Sequence, residues 1–512
     1  MSNQSSDNNK RIAKNTLVLY FRLFLTMGVS LFTSRVVLNV LGVEDYGTYN
    51  VVGGVIAMFS LFTGSLSAAI SRFLTYELGR GDKEKLSLVF STSVNIQVFM
   101  AVVVTILAEV VGVWFLNTHM NIPSERMYAA NWVFQFSIIT FAVNLISIPY
   151  NAAIIAHEKM TAFAYIGILE VILKLVVAYL LYISPIDKLI TYAALLAAVA
   201  VLIRFVYSIY CNRRFEECHY HLVYDKSMLK QMTGFAGWNL LGSGAYLFNT
   251  QGVNIITNIF FGVATNAARG VASQVEGVIR QFVNNFTTAL NPQITKSYAA
   301  GDLQYMFSLV CRGSKFSYFL MFIFAVPFMF ETETIMQLWL KNYPPEAPLF
   351  LRLSMVGTLF DILGNSTANA TWATGNVKRY YMIVGGVGCL VFPISWICFA
   401  LGGSAYDSYI VFAVIYLALV FIKLYIVRWL IKFPVTKYYR EVFGKIIPVS
   451  VLAFILPTIP YLYIDHQIIR CLTVCAVSVL STCSLIYALG LTKGERNMVN
   501  GKLVKVIGKF KK

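Results

Sequence analysis

Long apolar stretches alternate with short polar connections over almost the whole chain, the pattern of successive membrane-crossing helices, each needing about 20 mainly apolar residues. The pattern predicts fourteen spans: 15–40, 49–78, 86–116, 127–156, 161–184, 188–211, 233–261, 267–296, 306–330, 347–374, 380–401, 406–431, 444–464 and 467–490. Most connections are short, as at Gly79-Arg80-Gly81-Asp82-Lys83 and Asn342-Tyr343-Pro344-Pro345. Two are longer: Arg213 to Lys230, which divides the chain, and Glu331 to Pro348, where Trp339 is placed at the membrane interface. The predicted fold is an all-α polytopic membrane protein. A cytoplasmic tail (1–14) precedes two six-helix bundles (15–211 and 233–431), joined by a cytoplasmic linker (212–232). Two extra helices (444–490) and a basic cytoplasmic tail (491–512) follow.

The two blocks resemble one another. A shift of 220 residues lays Gly42-Val43 on Gly262-Val263, Phe62 on Phe282, Thr75 on Thr295 and Asp82 on Asp302. A shift of 218 lays Ala152 on Ala370 and His157 on Gly375. An even number of spans per block makes such repeats parallel, and the substrate of a transporter built this way sits between the halves near the midplane.

Polar side chains recurring at helical spacing inside a span face protein or a wet cavity, not lipid. Span eight carries the longest such stripe: Arg269, Ser273, Glu276, Arg280, Asn284, Thr287 and Asn291, widened by Gln274, Gln281, Asn285 and Thr288. Span ten repeats it with Ser354, Thr358, Asp361, Asn365, Asn369 and Trp372. Span four has Ser137, Thr140, Asn144, Ser147 and Asn151; span one has Arg22, Thr26, Ser30 and Thr33. Span two has Ser60, Thr63, Ser67, Ser71 and Thr75, and span seven has Gln251, Asn254 and Asn258. The candidate substrate-binding set is Arg22, Arg280, Arg269, Glu276, Asn284, Asn254, Asn365 and Asn369.

A charge near the bilayer centre is costly and usually marks a pathway. Arg22 and Arg280 are the deepest. Glu276 lies one turn before Arg280, so a structural i, i+4 pair is the competing reading there, and snorkelling is the competing reading for Arg22. Arg35, Arg72, Lys174, Arg204, Arg312, Lys315 and Arg352 are nearer span ends and read as interfacial anchors. Among the acids Glu109, Glu170 and Asp361, Glu170 precedes Lys174 by one turn and reads as structural. Asp361 is the coupling candidate.

Composition sharpens this picture. The 512 residues are 58% hydrophobic and 13% charged, against roughly 25% charged in soluble domains, so lipid is the solvent. The net charge of +17 follows topology: about 24 basic residues fall in alternate segments and the tails, including Lys10, Arg11, Arg80, Lys83, Arg213, Arg214, Lys226 and Lys230, against about 5 in the others. Both termini are placed in the cytoplasm, with no nucleic-acid partner implied. The first nine residues are polar, and the apolar run from Thr16 lacks an A-x-A site, so it reads as an uncleaved signal anchor. Eight scattered cysteines without a C-x-x-C pair indicate neither a disulfide framework nor a zinc ribbon. Cys218, His219 and His221 read as part of a solvated loop.

No phosphate-binding loop, H-E-x-x-H or G-x-S-x-G is present, so no cofactor and no catalysis are expected. Gly242-Ser243-Gly244 lies in an apolar span and reads as close helix packing. The sequons at Asn285, Asn365 and Asn369 fall on spans, which argues against glycosylation. Several arginines with many amides suit a ligand with an anionic head and a hydroxyl-rich body, since the guanidinium fork makes two charge-assisted bonds to phosphate.

The stretch Ser34-Arg35-Val36-Val37-Leu38-Asn39-Val40-Leu41-Gly42-Val43-Glu44-Asp45-Tyr46-Gly47-Thr48-Tyr49 resembles the first loop of polysaccharide repeat-unit flippases, the O-antigen and capsule translocases of the MOP transporter superfamily. Further likeness lies in Ile148-Pro149-Tyr150-Asn151-Ala152-Ala153, His157-Glu158-Lys159, Asn266-Ala267-Ala268-Arg269-Gly270 and Asn291-Pro292-Gln293-Ile294. The resemblance covers roughly residues 10–440. It implies a V-shaped, MATE-like pair of pseudo-symmetric bundles, alternating access, and an undecaprenyl-diphosphate oligosaccharide as cargo for surface polysaccharide or lipopolysaccharide synthesis. It also implies a bacterial inner-membrane location, with membrane lipids and polysaccharide polymerase or assembly proteins as partners. In related peptidoglycan-precursor flippases an extra helix pair like 444–490 forms a groove for the lipid tail. The alternatives are a proton- or Na⁺-coupled multidrug or cation antiporter of the same fold, and a peptidoglycan-precursor flippase. A glycosyltransferase or polymerase would need a large external loop, and the external segments are too short for one.

Overall fold

The computed structural model describes residues 2–57, 60–119, 122, 124–340, 343–497 and 500, and among these it is helical throughout, with no strand. The long helices, in chain order, are α1 (2–41), α2 (43–57 and Ser60–Arg80), α3 (Lys83–Thr118), α4 (Ser124–Ala156) and α5 (Met160–Ile183). They continue with α6 (Lys188–Arg214), α7 (226–261), α8 (263–299), α9 (Leu303–Leu340) and α10 (Ala347–Thr374). The last are α11 (Lys378–Ala400), α12 (Asp407–Ile431), α13 (Val435–Tyr463) and α14 (Gln467–Gly490).

Eleven helices among the described residues are long and apolar enough to cross a membrane. The protein is therefore an all-α polytopic membrane protein. Helices α2, α7 and α8 correspond to the other three of the fourteen expected spans, and they carry polar stripes: Ser67 and Ser71 on α2, Gln251 and Asn254 on α7, and Glu276 through Asn291 on α8.

Local chemistry sets the helix ends. Asp82, Asp187 and Asp225 cap the starts of α3, α6 and α7, each accepting from a backbone N–H two or three residues on. Gly375 ends α10 in the left-handed region at φ 77. Two breaks are backbone-specific. Gly42 (φ 79, ψ 171) separates α1 from α2, and Gly262 (φ 84, ψ −176) separates α7 from α8. That region is essentially restricted to glycine. The next pair at the same spacing, Gly81 (φ 75) and Gly301 (φ 77), turns the chain into α3 and α9. The backbone thus repeats at the interval that aligned the two sequence blocks.

The chain forms two compact units. Unit 1 contains the residues up to Ser243 together with Thr295–Asp302; unit 2 contains Gly244–Ile294 and the residues from Leu303 onward. The division falls inside α7. Its first turns pack on unit 1, where Phe235 meets Phe73 edge-on at 6.0 Å between ring centres. The end of α8 also lies in unit 1, so close to α2 that a Cβ on Gly79 would come within 2.8 Å of the Ala299 Cβ.

Candidate functional site

In unit 2 the polar stripes of α8 and α10 meet. Arg280 donates to Asp361 at 2.7 Å, to Thr358 at 3.2 Å and to Glu276 at 3.2 Å. The Thr358 hydroxyl donates in turn to Glu276 at 2.5 Å. Farther along the same stripes, the Asn369 amide donates to Asn291 at 2.6 Å. Lys423 of α12 lies 3.8 Å from the other oxygen of Asp361. Its buried stem passes over Gly364, where a Cβ would come within 2.7 Å of the lysine; the glycine makes that passage.

Arg269 is held differently. Its Nε donates to Asn254 at 2.5 Å, its Nη1 to Ser408 at 3.1 Å, and its guanidinium lies 4.8 Å from the centre of the Tyr409 ring. No ion pair to a carboxylate is found for it among the described residues. Arg269, Arg280, Glu276, Asn254, Ser408 and Tyr409 all border one cavity of about 290 Å³, with Phe412 and Tyr416 on its apolar side. Three cations (Arg269, Arg280, Lys423) and two carboxylates (Glu276, Asp361) stand at or beside it. One positive charge is left over, and the geometry puts it on Arg269.

In unit 1 the corresponding cation is Arg22 on α1. Its guanidinium lies 4.4 Å from the centre of the Phe163 ring and presses on Gly167, where a Cβ would sit 2.9 Å from Nε. Among the described residues it makes no hydrogen bond or ion pair. Glu170 acts on it only through space, and that carboxylate is taken by Lys174 at 2.6 Å.

The sequence-predicted residues therefore separate into three groups. Arg280, Glu276 and Asp361 form one ion-paired network; Arg269 and Asn254 form a second, neutral-ligand contact; Arg22 stands in the other unit. Asn284 is exposed on α8, Asn365 is half-buried at the turn inside α10, and Asn369 is tied to Asn291. The side chains of Asn258, Arg35 and Ser60 lie outside the described residues. Glu109 accepts from Gln135 at 3.0 Å.

Two expectations are corrected, those for Lys315 and Cys218. Lys315 is not an interfacial anchor: it is buried, with Glu495 of the C-terminal segment 2.6 Å from its ammonium and Arg312 completing the cluster at 3.6 Å. Arg72 and Arg204 lie over aromatic rings, the latter 3.9 Å from the centre of Tyr150. Cys218 is buried rather than solvated, while His219 and His221 are exposed, and no trio of metal-ligating side chains occurs among the described residues. Sequence reasoning missed Lys423, whose one signal is a lone lysine in the apolar run Val420-Phe421-Ile422-Lys423-Leu424. It also missed Arg126, which bridges Asp45 and, at 2.7 Å, Asp187.

Comparison with known proteins adds to this geometry. Residues 12–298 match the family model described as polysaccharide biosynthesis protein. An uncharacterized membrane protein EpsK of Bacillus subtilis (strain 168) is 21% identical over 284 residues, an alignment covering 55% of each chain. This chain thus spans about half the length of that relative. Among solved structures, MATE in the straight conformation gives a TM-score of 0.72 at 12% identity, covering 82% of this chain and 96% of that one. An outward-facing multidrug resistance MATE family transporter of the MOP superfamily gives 0.69 at 13%, covering 82% and 95%. A MOP superfamily transporter from Pyrococcus furiosus, described as having a binding pocket of reverse polarity that suggests a different function, gives 0.69 at 12%, again covering 82% and 95%. At these identities the likeness shows the fold alone.

Proposed function

The chain belongs to the polysaccharide biosynthesis protein family, and from that membership we propose that it is a flippase. Its cargo is an undecaprenyl-diphosphate-linked oligosaccharide, moved outward across the bacterial cytoplasmic membrane by alternating access, with both termini in the cytoplasm. The observation that carries this reading is that each unit holds an arginine without a carboxylate ion pair among the described residues. Arg22 sits on an aromatic ring; Arg269 sits among an amide, a hydroxyl and a ring. A guanidinium held only by neutral groups keeps its full charge and free N–H donors for an incoming diphosphate. Exposed amides on α8, Gln274, Gln281 and Asn284, supply partners for sugar hydroxyls.

Arg280 has a different place in this reading. With Glu276 and Asp361 on it, it is a locking residue that fixes α8 against α10 and so fixes the cavity wall. Asp361, held between Arg280 and Lys423, is assigned to the same lock rather than to ion coupling. The lock also weighs against an organic-cation antiporter, because it leaves the cavity with no unpaired carboxylate among the described residues to receive a cation. Outward movement of an anion runs with an inside-negative potential, worth about 2.3 kcal/mol per charge per 100 mV. Membrane potential then supplies a driving force for outward flux without ATP.

The test is transport by the purified protein in proteoliposomes. A fluorescent diphosphate-linked sugar lipid should change leaflets, at least tenfold more slowly in Arg22→Gln and Arg269→Gln. Exchange of a cationic dye for protons or Na⁺, with the sugar lipid stationary, would replace this reading with the antiporter.

A further inference from the structure

A second cavity, of about 850 Å³, lies wholly within unit 1, between α2, α3, the first turns of α7 and the connection 222–224. Its walls are almost entirely apolar, formed by Leu66, Ile96, Phe99, Met100, Leu229 and Leu240. Its rim is fastened. Asn95 on α3 donates to the Val223 carbonyl at 2.8 Å and accepts from the Tyr220 hydroxyl at 2.8 Å. Leu222 and Tyr224, which also border the cavity, are 88% and 79% exposed.

Gly237 borders this cavity from within α7, and a Cβ there would meet nothing within 4 Å. A larger side chain at that position would therefore extend into open space without a clash at its Cβ. Lys226 and Lys230 are exposed one turn apart, each three residues before a lining residue (Leu229, Thr233), and neither makes an ion pair among the described residues. Lys226 and Lys230 lie at the N-terminal end of the same α7 face as Thr233, Gly237 and Leu240, so an apolar cavity walled by a helix that begins with two unpaired ammonium groups fits an amphiphile with a long hydrocarbon chain and an anionic head. Bulk acyl chains can coat any exposed apolar face; a walled space with charged groups at one end retains a particular lipid.

We propose that this cavity holds the polyprenyl chain of the lipid carrier, with its phosphate at Lys226 and Lys230. This rests on the flippase reading and adds to it a seat for the lipid, separate from the arginines assigned to the diphosphate in transit. The occupant is the isoprenoid lipid rather than a phospholipid.

The test is equilibrium binding of undecaprenyl phosphate to the full chain in detergent, with phosphatidylglycerol as the competing anionic lipid. The wild type should bind the polyprenyl lipid, and phosphatidylglycerol should displace it only in large excess. Gly237→Leu and Gly237→Phe fill the space and should weaken binding at least tenfold with the melting temperature unchanged. Lys226→Gln with Lys230→Gln should weaken it and flatten its salt dependence. Displacement by phosphatidylglycerol one for one, or wild-type affinity in the filled variants, overturns the proposal. Should the filled variants not fold, Thr233→Cys gives a second readout. Its alkylation by a maleimide should slow at least tenfold with undecaprenyl phosphate, and unchanged alkylation overturns the proposal. No sugar is present in these assays. A chain that binds the polyprenyl lipid here yet exchanges a cationic dye would keep the site and lose the flippase. Sugar-lipid transport with fully normal filled variants would do the reverse.

Discussion

Arg280 of α8 donates to Asp361 of α10 across 2.7 Å, and this bond joins the two longest polar stripes of unit 2. Its strength comes from the surroundings. Both side chains are mostly buried, and Glu276, Thr358 and Lys423 satisfy what the pair leaves over. The consequence is a difference between two basic residues: Arg280 is ion-paired to two carboxylates, while Arg269 contacts an amide, a hydroxyl and an aromatic ring.

Removing one partner of this lock should be more harmful than removing both. Arg280→Ala leaves Glu276 and Asp361 with one cation between them and should destabilise the protein by about 1–3 kcal/mol. Adding Asp361→Asn should recover part of that loss. Thermal unfolding of the single and double variants in detergent checks it; strictly additive losses would contradict the coupling.

The opposite signature is expected at Arg22 and Arg269. Arg269→Gln keeps hydrogen-bonding capacity and removes the charge, so stability should change by less than about 1 kcal/mol while transport falls at least tenfold. Gly167→Ala should reproduce the transport loss of Arg22→Gln, because its Cβ would meet the guanidinium at 2.9 Å. Transport rate and melting temperature, measured on the same preparations, separate these effects.

The interhelix breaks at Gly42 and Gly262 depend on a backbone region closed to other residues. Gly262→Ala should cost about 1–3 kcal/mol, although a Cβ would meet nothing within 4 Å. Gly237→Ala, equally open but in ordinary helix, should stabilise slightly. Comparing the two melting temperatures distinguishes backbone strain from crowding.

Acid should loosen the C-terminal segment. Burial pushes the Glu495 carboxyl up, but the charge and hydrogen bond of Lys315, with the Thr492 amide, outweigh it and hold it below the usual range. A depressed carboxyl contributes stability that is present above its unfolded value of about 4.3 and lost as pH falls through the folded one. Proteolysis after residue 490 should therefore accelerate below about pH 4. In Glu495→Gln, Lys315 stays buried without an anion, and that segment should be cleaved rapidly at neutral pH with little further acid effect.

The helices were legible because runs of apolar residues and stripes at 3.6-residue spacing are properties of one helix at a time. The same spacing revealed the Glu276–Arg280 pair, one turn apart. It did not reveal that Asp361 and Lys423 complete the network, since that depends on how α8, α10 and α12 pack. Nor did it show which arginine would keep its charge free of acids: Arg280 was placed with Arg22 as the deepest, and the structure gives that role in unit 2 to Arg269. Lys315 was misread for the same reason, its partner Glu495 lying 180 residues away. The repeat was visible as matched residues 220 apart, but only the φ values at Gly42 and Gly262 give those matches a physical cause.

The decisive measurement is the initial rate at which the reconstituted protein moves a diphosphate-linked sugar lipid between leaflets, at imposed potentials of both signs. Transfer should accelerate when the receiving side is positive, and Arg22→Gln combined with Arg269→Gln should abolish both the rate and its voltage dependence. Transfer indifferent to potential, or undiminished in the doubly substituted protein, would contradict the assignment of an anionic cargo to these guanidinium groups.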